Sequence, residues 1–328
     1  MLRNSVCAVL TLFVLGARGE RIAAVYREGA ELVLEEKNAL AMEPGDMSMS
    51  VNGVEVPPEV LQENGAAPPS MEDERTVRWR DRVLEVVDGR PTKIRREFES
   101  LRQRSVEEGE ESEKTGPLEG RVLVLEEHDG AVTGELEEGD EVESQFLEDH
   151  RMTHEAELLL PDSEVAVGDK WQPEEDSWRA FIGIDSGPML FEEDEEEEDP
   201  MDELLDDVSA VTGEVEFAAI EERDGLRCAV LAFHYEIQAA VDDPTAMGED
   251  LEEATGKFEM TMRGDGRFWY ALEEGRPVAL QQDIEGEMAA HLEASVTTEE
   301  GPMQMKMEMT CSYDGETTCA WSVPEGKR

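Results

Sequence analysis

The chain has 328 residues, 34% of them charged and 39% from the AVILMFWYC set, so it carries enough apolar material for a core and is not a disordered chain throughout. With 82 acidic against 29 basic residues, the formal charge is −53, which excludes a general affinity for nucleic acid or anionic lipid headgroups because the long-range field repels polyanions. No apolar stretch reaches 18 residues, so no ordinary transmembrane helix is expected.

Residues 1–19 carry the three-part pattern of a secretory signal: a basic start at Arg3, an apolar run from Ser5 to Gly16, and small residues Ala17 and Gly19 before a cut at Glu20. The expected location is therefore the periplasm, the envelope or the exterior. From residue 20 to 190 the pattern is mostly two-residue alternation, as expected of strands. Met47–Val51, Thr76–Val87, Ile94–Phe98, Arg121–Glu127 and Ala131–Leu136 alternate, with turns at Asp88-Gly89 and Asp129-Gly130. Pro57–Ser70 and Glu107–Pro117 read as exposed connections. Helix is expected over Val142–Leu160 and near Trp178–Leu190. On such a helix His150 and His154 would share a face at i, i+4 spacing and form half of a metal site. Arg151 occupies the place of the HExxH glutamate and no third ligand is indicated, so an exposed helix face is the competing account.

The segment Leu158-Leu-Leu-Pro-Asp-Ser-Glu-Val-Ala-Val-Gly-Asp-Lys-Trp171 resembles one in uncharacterised exported bacterial β-rich proteins, where an L-L-P turn leads into V-x-V-G-D-x-W. The resemblance implies export and β architecture and carries no activity. Read physically, Gly168-Asp169 is a turn and Trp171 a core anchor. Asp185-Ser-Gly187 matches the short aspartic-protease triplet, but that chemistry needs a second carboxylate and no second triplet exists.

An acidic linker or loop spans 191–209: Glu192 to Asp207 holds twelve carboxylates in sixteen residues, which repel one another and resist compaction. Residues 210–328 read as a C-terminal antiparallel β half. Its strands are Val215–Ile220, Leu226–Ile237, Lys257–Met262, Arg267–Leu272 and Pro277–Met288. Turns are expected at Asp224-Gly225, Gly264-Asp-Gly266 and Glu274-Gly275. Val87-Asp-Gly-Arg-Pro echoes Glu273-Glu-Gly-Arg-Pro, and Glu126–Gly130 echoes Glu221–Gly225. Two related β units and repeated hairpin chemistry both account for these echoes. The fold class is thus mainly β, antiparallel, with minor helix.

Met303, Met305, Met307 and Met309 alternate with polar residues, so a strand sets four thioethers on one face; Met260 and Met262, and Met47 with Met49, make shorter stripes. A core face, a pliable apolar groove and a Cu(I) site are the readings of such an array. Asp314-Gly315 between Cys311 and Cys319 reads as a hairpin that brings the two thiols together, and an exported chain would join them; Cys228 reads as a buried thiol. The sequence therefore points to a non-enzymatic exported binding protein for an apolar ligand or envelope component, with no cofactor. Cu(I) handling and a hydrolase with an unrecognised site are the alternatives.

Overall fold

The computed structural model describes residues 19–57, 60–61, 70–107, 109–139, 141–184, 187–192, 208–241, 255–298 and 301–324. The expected signal segment up to residue 18, most of Pro57–Ser70, Asp185 with Ser186, and the acidic run beyond Glu192 lie outside the described residues. Strands dominate. They are β1 (Glu31–Val51), β2 (Val54–Glu55), β3 (Met71–Val87), β4 (Arg90–Glu107), β5 (Glu110–Thr115), β6 (Val122–His128) and β7 (Ala131–Leu136). Then follow β8 (Lys170–Trp171), β9 (Val208–Arg223), β10 (Leu226–Val241), β11 (Thr255–Ala271), β12 (Arg276–Thr298) and β13 (Gly301–Ser322). All belong to one 13-stranded sheet in the order β7-β6-β4-β3-β1-β13-β12-β11-β10-β9-β8, with β2 beside β1 and β5 beside β4. Every pairing is antiparallel. The two halves read from the sequence are joined through β1 and β13 at the centre of this sheet.

The alternation in sequence becomes two unlike faces. On β10, Leu231, Phe233, Tyr235 and Ile237 are buried on the inner face, while His234, Glu236 and Gln238 between them are not. The inner face closes on an insert, residues 141–192, holding two 3₁₀ turns, η1 (Ser144–Leu147) and η2 (Glu155–Leu159), and one helix, α1 (Glu175–Ile182). Trp178 of α1 is 1% exposed and packs on Phe181, Phe233 and Tyr235 at centroid distances of 6.0, 6.3 and 5.7 Å. Further along the insert, His150 lies 5.8 Å from Phe98 of β4, and His154 lies 5.8 Å from Trp321 of β13. On a flat sheet β4 and β10 would stand about 29 Å apart at ~4.8 Å per strand. The twist of the sheet wraps it around the insert, so one segment reaches all three strands.

Several local expectations are corrected. Val142–Leu160 is not one helix: Asp149 adopts a positive φ of 56° between the two 3₁₀ turns. The helix expected near Trp178 begins earlier, at Glu175, and ends at Gly183, whose φ of 82° terminates it. Part of Glu107–Pro117 is strand β5, paired with β4. The hairpins at Asp88-Gly89, Asp129-Gly130 and Asp224-Gly225 form as expected, with positive φ at both residues of each turn. Gly264-Asp-Gly266, by contrast, runs straight within β11. A Cβ at either glycine would overlap an aromatic ring of β10, Tyr235 for Gly264 and Phe233 for Gly266. These glycines make room for cross-strand aromatics and do not turn the chain.

The Asp314-Gly315 hairpin is likewise absent, because β13 continues from Gly301 to Ser322 in register with β1 and β12. Cys311 and Cys319 are thus eight residues apart on one strand, or about 26 Å at ~3.3 Å per residue. A disulfide needs Cα atoms within ~7 Å, so the expected pairing is excluded and all three described cysteines are free thiols. Cys228 is buried in a small apolar patch of the outer face with Val230 and Trp269, and burial raises its thiol pKa.

Candidate functional site

The inner face extends well beyond the part the insert covers. Met303, Met305, Met307 and Met309 share this face with Tyr313 and Trp321, and all four are half-buried. Across β12, Met309 stands opposite Ala290, Met307 opposite Leu292 and Met305 opposite Ala294. Across β1, Met309 faces Met47 and Met307 faces Met49. A bulge between Pro44 and Met47 keeps these side chains inward: one extra residue restores the facing that strict alternation would reverse. Thr310 secures the bulge, accepting a hydrogen bond from the Asp46 backbone N–H at 2.9 Å. Met260 is 2% exposed and pairs with Met288, while Met262 packs beside it on the main core. The six methionines singled out from sequence therefore share one apolar face, with Phe258, Met288 and Met47 among them.

Below the methionine rows the same face turns polar. One row reads Gln103, Arg75, Asn38, Thr317, Gln282 across β4, β3, β1, β13 and β12. Most of these groups are satisfied within the protein. Asp73 accepts from Arg75 Nε at 3.0 Å, Gln103 Nε2 at 2.7 Å and Ser105 Oγ at 2.7 Å, and Gln282 Nε2 donates to Tyr235 Oη at 2.6 Å. The next row places Glu36 between Val77 and Cys319. Glu155 of η2, on the insert, adds its like charge to the surroundings of Glu36. Burial, then the charge of Glu155, push the Glu36 carboxyl up to about 7, against a smaller opposing pull from Arg75. Burial also raises Glu155, partly offset by Arg151 and Arg96. Glu36 is half-buried, whereas Glu155, though crowded by neighbouring protein, is exposed at the surface of the insert.

The histidine pair does not form a metal site. His150 is 3% exposed and its Nε2 contacts the Phe146 carbonyl at 3.0 Å. His154 Nδ1 accepts the Trp321 Nε1–H at 3.1 Å. Burial is the main force holding both imidazoles near a pKa of 4, so they are neutral at pH 7. Without the helix there is no shared face, and among the described residues no group of three His, Cys, Asp or Glu side chains is placed to hold a metal. Trp171, read as an anchor, is one: it packs on the main core and its Nε1–H donates to the Leu159 carbonyl at 3.0 Å.

Sequence reading overlooked Glu36 and Glu155. A signal existed for Glu36: in Leu34-x-Glu36-x-Asn38-x-Leu40-x-Met42, a carboxylate takes an inward place in an apolar alternation. Nothing comparable marks Glu155, which sits among other acidic residues of the insert.

The outer face is charged. Asp283, Glu285, Glu287 and Glu293 of β12 point outward, beside Lys306, Glu308, Asp314 and Glu316 of β13. Apolar inside and charged outside is the reverse of a lipid-facing barrel.

No protein-family model and no curated protein matches the chain. Among solved structures, the outer membrane protein OprG from Pseudomonas aeruginosa aligns over 92% of this chain and 100% of its own, at 7% identity and a TM-score of 0.21. A chain from work on the asymmetric conductivity of engineered proteins aligns over 86% of this chain and 99% of its own, at 8% identity and a TM-score of 0.17. Neither likeness bears on function.

Proposed function

We propose that this is an exported, non-enzymatic binding protein that takes up an apolar ligand on the methionine-rich inner face. The observation that carries the reading is the continuous row of half-buried Met47, Met49, Met305, Met307 and Met309 beside Leu292 and Ala294. Flexible, polarizable thioethers suit ligands of varied shape, and half-burial leaves them surface to offer. The charged outer face supports a soluble carrier or an envelope-associated protein over a lipid-embedded one. The secretory pattern at residues 1–19 supports export.

The test is binding of a neutral apolar fluorophore, N-phenyl-1-naphthylamine, to the purified protein. Saturable binding is expected, and the Met305→Asp/Met307→Asp variant should lose it while keeping the native far-ultraviolet dichroism. Absence of saturable binding overturns the reading. Cu(I) capture is a second reading, favoured by the directly opposed pairs Met47–Met309 and Met49–Met307. Met305→Leu/Met307→Leu separates the two, since it preserves an apolar surface and removes two thioethers.

A further inference from the structure

The methionine face gathers the accessible sulfur of this chain in one place. A thioether is oxidised by electrophilic oxygen without first losing a proton, so its rate follows the access of the oxidant to sulfur. A thiol reacts through its thiolate and, where exposed and ionised, takes the oxidant first. Here the thiols are withdrawn. Cys228 is 0% exposed and Cys311 is 3% exposed. Cys319 is half-buried, and burial is the main force holding its thiol pKa well above the ordinary range. The thioethers divide into two sets. Met152 and Met260 are 7% and 2% exposed. Met47, Met49, Met305, Met307 and Met309 are half-buried, in three neighbouring rows of one face. Their neighbours across β12 are Ala290, Leu292 and Ala294, whose side chains donate no hydrogen bond. Met288, on the same face, differs: its sulfur accepts a hydrogen bond from Tyr313 Oη at 3.4 Å.

We propose that this face is a sulfoxidation site, at which peroxides or hypohalous acids convert Met47, Met49, Met305, Met307 and Met309 to sulfoxides ahead of the chain's thiols and buried methionines. With a peroxide, a sulfur lone pair attacks one peroxide oxygen and the O–O bond breaks. That oxygen stays on sulfur as S=O, and its proton passes to the departing hydroxide, which leaves as water. Sulfur gives up two electrons and the peroxide takes them. With hypochlorous acid the leaving group is chloride, and a proton is released. Each sulfoxide adds a strong hydrogen-bond acceptor that none of the facing side chains can satisfy, so water must meet it and the face turns from apolar to hydrated. The backbone ladder of β13 with β1 and β12 does not pass through the sulfurs, so the sheet persists. A dithiol reductant reverses the step: the sulfoxide oxygen leaves as water while the two thiols close to a disulfide. The face is thus an oxidant-responsive surface that releases an apolar ligand when oxidised, and this last consequence rests on the apolar-ligand reading.

The experiment treats the purified, folded protein with graded hydrogen peroxide or hypochlorous acid and maps sulfur oxidation by peptide mass spectrometry. The five face methionines should be half-oxidised at a dose about tenfold below that for Met152 and Met260, and before any loss of Cys228, Cys311 or Cys319. Equal doses for the two methionine sets, or earlier loss of a thiol, overturn the inference. In a second arm, oxidation should weaken binding of N-phenyl-1-naphthylamine about tenfold at unchanged far-ultraviolet dichroism, and methionine sulfoxide reductases A and B together should restore it. The Met47→Leu/Met49→Leu/Met307→Leu/Met309→Leu variant should bind the dye and keep most of that affinity after the same treatment. Undiminished dye binding by a fully oxidised natural face overturns the release. If the untreated protein binds no dye, the apolar-ligand reading falls alone, and the order of doses still decides the sulfoxidation site. That order is read on the unmodified protein, so it stands even if a variant does not fold.

Discussion

Asp81 and Arg96 stand directly opposite each other on neighbouring strands and meet through two parallel 2.8 Å hydrogen bonds, both residues under 10% exposed. The guanidinium lies 4.6 Å from the Trp79 ring centroid, and its third bond reaches the Arg151 carbonyl of the insert. One ion pair thus links β3, β4 and the segment that fills the inner face.

Breaking that pair from one side strands a buried cation. Asp81→Asn should cost about 3–5 kcal/mol of stability. Urea denaturation followed by tryptophan fluorescence would show it, because Trp79 lies against the guanidinium. A loss below about 1 kcal/mol would mean that the pair is far better hydrated than its burial indicates.

The cysteines should be free even in material recovered from an oxidising compartment. Non-reducing peptide mapping is expected to find no crosslink among Cys228, Cys311 and Cys319, and thiol titration in denaturant should count all three. A Cys311–Cys319 peptide would contradict the uninterrupted register of β13.

Stability should decline across neutral pH. Glu36 and Glu157 both have carboxyls raised to about 7, mainly by burial; Tyr26 donates to Glu157 at 2.7 Å and moderates its rise. An acid whose pKa is higher in the folded state contributes stability that is fully present below its unfolded value of ~4.3 and is lost as pH rises through about 7. His150 and His154 act in the opposite sense: their folded values near 4 give stability that is present above ~6.5 and lost as pH falls through 4. Between about pH 5 and 6.5 the two carboxyls and the two imidazoles offset each other, so thermal midpoints should fall mainly between about pH 6.5 and 8, and Glu36→Gln should flatten part of that fall. A wild-type midpoint that is level or rising over this range would count against the burial of these carboxyls.

On the outer face Asp283 is paired in register with Asp265 on one side and Glu316 on the other, three exposed like charges in one row. Cross-strand like charges destabilise, so Asp283→Lys should raise stability by about 0.5–1 kcal/mol. Sodium chloride should raise the thermal midpoint of the natural chain, and the gain should be smaller in the variant, since screening then has less repulsion to remove. An equal salt response in both chains would show that this row is not a significant part of the −53 charge problem.

Much of this fold is legible because strand period and Asp-Gly turns are local. Met303 to Met309 share a face by parity alone, and Asp88-Gly89 and Asp224-Gly225 turn because both residues must take positive φ. What fails is whatever depends on a neighbouring strand. Gly266 looks like a turn residue until Phe233 is seen lying across it. Gly315, beside Asp314, stays extended between Leu40 and Ile284, residues far away in sequence. The same limit hides the insert's contacts: His150 meets Phe98 and His154 meets Trp321 only because the sheet curls around the insert.

The sheet's central seam joins residues far apart in the chain: Asp46 of β1 hydrogen-bonds to Thr310 of β13, 264 positions later. Until the final strand arrives, β1 presents an open edge that any extended chain can join, and the methionines of the two strands remain on separate pieces. Such distant pairing is slow to find. A chain delivered from its N-terminus would thus carry a sticky half-sheet until its last strand arrives, and its methionine face would come into being only with the last pairing. Assembly of the methionine face and completion of the fold are one event.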